Sequence, residues 1–100
     1  MGDLPAARSI INSLYAQLER KDADMKAYVL IKIRAGEVKD VVRQLRKTDK
    51  IVEANMTFGP YDAVAVIDAA DISALGNLIA ATIQPIPGVE QTLTCLAVDI

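Results

Sequence analysis

Two short runs, Tyr28-Val29-Leu30-Ile31 and Ala63-Val64-Ala65-Val66-Ile67, are apolar at every position. In an extended strand successive side chains point to opposite faces. These runs therefore place apolar groups on both sides of a sheet, and both sides need cover. Gly36 follows the first run and Gly59-Pro60-Tyr61-Asp62 precedes the second, so turns bound them.

Helical spacing lies between the extended segments. From Glu37 to Lys47, the residues Val38, Val41, Val42 and Leu45 make one apolar stripe with a charged opposite face. Ile72, Leu75, Leu78, Ile79 and Ile83 make a second stripe, with Asp71 or Ser73 as its cap and 85–88 as its stop. Strands are expected over 27–34, 51–58, 63–68 and 91–98. A further amphipathic helix is expected over 4–20, through Ala7, Ile10, Ile11, Leu14, Tyr15 and Leu18. Asp22-Ala23-Asp24 reads as its linker.

The order after that helix is β-α-β-β-α-β. It predicts an α+β, ferredoxin-like fold: a four-stranded antiparallel sheet with both helices on one face and their charged sides outward. Residues 1–26 are read as N-terminal helix and linker, and 27–100 as the domain. The chain is 52% hydrophobic with few aromatics, a large apolar load for 100 residues. The open face of the sheet is therefore expected to be covered by a second copy, sheet on sheet about a two-fold axis, giving a dimeric α+β barrel. The single stripe of the N-terminal helix is too narrow for four strands.

Composition also restricts the chemistry. There is no histidine, so the commonest general base and metal ligand are missing. No catalytic residue, metal site or cofactor is expected. Cys95, the single cysteine, lies in the run Leu93–Val98 and reads as a small buried hydrophobe. The start of the chain has no signal-peptide pattern, and no apolar run reaches the ~20 residues that span a bilayer. The expectation is a soluble, cytoplasmic protein without a membrane partner.

The net charge of −2 hides an uneven distribution. Residues 26–50 carry eight basic side chains against three acidic ones, whereas 51–100 carry six acids and no Lys or Arg. The basic segment reads as a solvated helix face, or one that pairs with an acidic half, rather than a nucleic-acid surface.

These features together carry a family resemblance. The segment from Ala27 to Val98 resembles the effector domain of Lrp/AsnC transcription regulators, the RAM module. The matching features are the strand Ala27–Ile31 with its Gly36-Glu37 turn and the hairpin turn Gly59-Pro60-Tyr61-Asp62. To these add the connection Ile86-Pro87-Gly88-Val89-Glu90 and the strand Thr92-Leu93-Thr94. Family regulators carry a helix-turn-helix domain ahead of this module, and residues 1–26 offer one helix where three are needed. The chain thus resembles a stand-alone form, and direct DNA binding is not implied.

The resemblance implies dimers that assemble into octamer or decamer rings, with an amino acid or related small effector bound between dimers. Mixed assemblies with full-length regulators are a further implied partnership. The positions matching the effector site are Gly59, Pro60, Tyr61, Asp62, Thr92 and Thr94. Their chemistry suits an amino acid. Gly59 brings backbone N–H close, Asp62 can accept from an ammonium, Thr92 and Thr94 can donate to a carboxylate, and Tyr61 can wall a pocket. Each also has a purely structural role available, as turn or strand former. Three other readings stand beside this one: a pure assembly module, a cofactor-free dimeric α+β barrel enzyme, and an ACT-type amino-acid-binding module.

Overall fold

A computed structural model of the chain describes residues 25–98. Its elements are β1 (Met25–Ile33), α1 (Val38–Arg46), β2 (Ile51–Met56), β3 (Ala63–Ala69), α2 (Ile72–Leu78) and β4 (Val89–Leu96). All strand pairs are antiparallel, in the order β2-β3-β1-β4. This is the βαββαβ arrangement expected from the alternation of periods. The helix expected over 4–20 and its linker lie outside the described residues.

The core sits between the sheet and the two helices. Ala27, Val29, Ile31 and Ile33 alternate as the buried residues of β1. Ala63, Ala65 and Ile67 lie beside them on β3, and Val41, Val42 and Leu45 of α1 cover them. From α2 come Leu75, then Ile79 and Ile83. Ile72, assigned to the same stripe, is 64% exposed. It is the first residue after the cap, where the helix has not yet reached the sheet.

Asp71 is the cap. Its Oδ1 accepts from the Ala74 amide at 2.8 Å. Replacing Asp71 with Ala is expected to cost about 1 kcal/mol in a denaturant titration, whereas Ser73→Ala should cost a few tenths at most. After Leu78 the helix widens into a π-type turn over Ile79–Ile83, with the Gln84 amide donating to the Ile79 carbonyl at 2.9 Å. The pattern predicts a charged outward side for α2. The structure differs: Ser73, Ala74, Gly76, Asn77, Ala80 and Ala81 are exposed, and none carries a charge.

On the open face, register brings Tyr28, Leu30, Val64, Val66, Leu93 and Cys95 together. Val66 is nearly covered and Leu30 and Val64 are half-buried, but Tyr28 is 38% and Leu93 45% exposed. Lys26, opposite Asp68, closes this patch at one end, and Lys32, opposite Gln91, at the other. The Lys26 ammonium sits 5.6 Å from the Tyr28 ring centre. Cys95 departs from expectation. It is exposed, because β4 is an edge strand and Cys95 pairs with Tyr28 on the face away from the helices.

Candidate functional site

The loop between β2 and β3 is tied down by its own backbone. The Thr57 amide donates to the Asp62 carbonyl at 3.0 Å, and the Thr57 hydroxyl donates to the Tyr61 carbonyl at 2.7 Å. The Asp62 amide donates to the Ile31 carbonyl at 2.8 Å. Gly59 has φ +143°, a conformation L side chains rarely adopt, and a Cβ there would meet nothing within 4 Å. The glycine is thus needed for the path of the chain, and the space beside it is open.

Asp62 has a structural duty. Between Lys32 and Ile33 the pairing of β1 with β4 slips by one residue. The Ile33 amide, which faces the β3 side as the Ile31 carbonyl does, donates to Asp62 Oδ2 at 2.7 Å. One carboxylate oxygen is therefore occupied. Among the described residues the other has no hydrogen-bond partner, and Asp62 is half-buried. An anion with one free oxygen at a loop edge can still receive an ammonium.

Gly59, Pro60, Tyr61 and Asp62 share this loop. Thr92 and Thr94 stand apart from it. Ile31 lies between Ala63 on one side and Thr92 on the other, so Asp62 and Thr92 are about two strand spacings, roughly 10 Å, apart. Both threonines pair with core-facing residues, Thr92 with Ile31 and Thr94 with Val29, so they point to the helix side. The Thr92 hydroxyl is 3.4 Å from the Gln84 side-chain amide, which donates to it. Within one chain the loop and the two threonines do not meet. A cleft of about 790 Å3 is found at the opposite end of the sheet, beside the start of β2 and the end of β3.

Phe58, which sequence reasoning did not single out, stands at the tip of the same loop and is fully exposed. It is the sole Phe of the chain and lies between Thr57 and Gly59, in a segment assigned to strand by its pattern. The available signal was this large aromatic immediately ahead of a turn glycine.

The Lrp/AsnC ligand-binding domain model matches residues 26–100. The chain belongs to the Lrp/AsnC family. Among curated relatives, the HTH-type transcriptional regulator FL11 of Pyrococcus horikoshii is 39% identical over 72 residues, 72% of this chain and 47% of the relative. The chain spans about half the length of the curated relatives it matches. Among solved structures, TTHA0845 from Thermus thermophilus matches with a TM-score of 0.72 and 30% identity, over 76% of this chain and 95% of that one. The regulator NMB0573 of Neisseria meningitidis, solved as a complex with L-Met, shares the fold. Its TM-score is 0.72 at 16% identity, over 95% of this Lrp/AsnC chain and 70% of that one.

Proposed function

We propose that this Lrp/AsnC domain is an effector sensor. It binds a free amino acid, or a closely related small molecule, where two dimers meet, and so alters the behaviour of transcription regulators with which it assembles in the cytoplasm. The observation that carries this reading is the loop 57–62, where a half-satisfied carboxylate, an open glycine and an exposed Phe58 occur together. The loop contributes the ammonium acceptor, Asp62, and donors from its backbone. Thr92 and Thr94 are too far from it to serve the same ligand in one chain, and their hydroxyls fit the reading as contributions from a neighbouring copy. Phe58 then has a use: an exposed aromatic at a loop tip is a natural anchor for a contact between copies. The complex of NMB0573 with L-Met supports an amino acid as the ligand class.

The open face of the sheet makes the dimer in this account. Tyr28, Leu30, Val64, Val66, Leu93 and Cys95 form an apolar centre flanked by charge, the composition of a self-complementary interface. A barrel enzyme would need polar groups held inside such a dimer. The open-face residues Leu30, Val64, Val66 and Leu93 are aliphatic, and the polar atoms among their neighbours are the Tyr28 hydroxyl and the Cys95 thiol. The assembly-only reading gains from the separation of Thr92 and Thr94 from the loop, and the ligand screen separates the two.

That screen is thermal melting with each of the twenty amino acids. A ligand at 100 times its Kd is expected to add about 2.7 kcal/mol, or roughly 10–20 °C for a domain of this size. Assembly alone predicts twenty unchanged melting curves.

A further inference from the structure

The two central strands, β3 and β1, carry charge on the open face only toward their ends. Lys26 on β1 and Asp68 on β3 are in register at one end, and both are exposed. Lys32 stands at the other end of β1. The Lys26 ammonium lies 5.6 Å from the Tyr28 ring centre, so its side chain runs along the open face. Between the ends, β1 offers the larger Tyr28 and Leu30, and β3 the smaller Val66 and Val64 beside them.

Two such faces can meet about a two-fold axis that runs either across the strands or along them. An axis across the strands, at Val29 in the middle of β1, sets Lys26 of one copy against Lys32 of the other and Tyr28 against Leu30. Like charges then oppose each other, and large groups meet large ones. An axis along the strands, between β3 and β1, lays β1 of each copy over β3 of the other. Lys26 then meets Asp68, Tyr28 meets Val66 and Leu30 meets Val64. Opposite charges face each other, and large side chains face small ones, as interdigitated layers require. We propose that a second copy packs on this face with the axis along the strands, its register fixed by Lys26 and Asp68 of opposite copies. The inference rests on the sheet-to-sheet dimer of the proposed function and adds its orientation. Two charges of each sign gather at one end of the dimer, and both loops 57–62 lie at the other end.

Mixing two charge-reversed chains tests the orientation. Lys26→Asp would gather four negative charges at that end of the dimer, and Asp68→Lys four positive ones. Each variant alone is expected to dimerise about tenfold more weakly than the unmodified chain. An equimolar mixture should recover the original affinity as a heterodimer, because each Lys again faces an Asp. Neighbours within each chain are the same in homodimer and heterodimer, so only the contact between copies differs. Native mass spectrometry with one variant isotopically labelled reads the pairing, sedimentation reads the affinity, and circular dichroism checks that both variants fold. The preference should shrink in 1 M salt, where the screening length falls to about 3 Å. A statistical mixture of homodimers and heterodimers overturns the orientation and leaves the dimer in place. So does a Lys26→Asp chain that dimerises more tightly, the result of meeting Lys32 about the crosswise axis. An unmodified chain that is monomeric at micromolar concentration overturns the dimer and the orientation together.

Discussion

Leu30→Asp is expected to convert the proposed sheet-to-sheet dimer to single chains. Leu30 lies at the centre of the open face, in register with Val64 on one side and Leu93 on the other. Two-fold packing of this face would bury two carboxylates, one from each copy. The penalty is several kcal/mol per ion, and each 1.4 kcal/mol is a factor of ten in Kd. Dimer affinity should therefore fall by roughly a thousandfold or more. The core is on the other side of the sheet, so the single chain should keep its circular dichroism spectrum. Lys39→Asp, on the exposed side of α1, should leave the mass unchanged. Light scattering reads both. An unmodified chain that is already monomeric at micromolar concentration, or a Leu30→Asp variant of unchanged mass, would remove the sheet face as the interface.

Asp62 allows a sharper test of the ligand site, because two substitutions separate its two duties. Asp62→Ala strips the acceptor from the Ile33 amide at the bulge. An unpaired N–H there should cost about 1–3 kcal/mol of stability, and ligand binding should be lost with it. Asp62→Asn keeps an oxygen for Ile33 but removes the charge that would meet an ammonium. Its stability should stay near that of the unmodified chain. Its affinity for an amino acid should fall roughly tenfold to a hundredfold, the worth of a hydrogen bond to a charged group. An Asn variant that binds as well as the original would assign Asp62 to the fold alone.

The residues that defined the fold in advance are those whose environment is set by local pattern. Ala27, Val29, Ile31 and Ile33 alternate as the buried residues of a strand with one face on the core, and Val41, Val42 and Leu45 recur at helical spacing. Element ends were less legible, because long-range pairing sets them. Met25 and Lys26 join β1 through Ala69 and Asp68, and Val89 joins β4 through Ile33. β2 ends at Met56, although the Thr57 amide still donates to Asp62, the next position in register. The exposure of Cys95 depends on which side of an edge strand faces the helices, and a shift of one residue reverses that. The site was legible as a loop, Gly59 to Asp62. The Ile33 amide that engages Asp62 and the separation of the threonines, roughly 10 Å, follow from register between distant segments, which no local signal encodes.

The central claim is that a small effector binds where copies of this Lrp/AsnC domain meet. Titration calorimetry at two chain concentrations, using the amino acid that raises the melting temperature most, tests it directly. Binding and assembly are then linked, and each must strengthen the other. The account predicts a tighter apparent Kd at the higher chain concentration, together with a rise in mass on adding ligand. A Kd independent of chain concentration with no change in mass would contradict it, as would the absence of binding by all twenty amino acids.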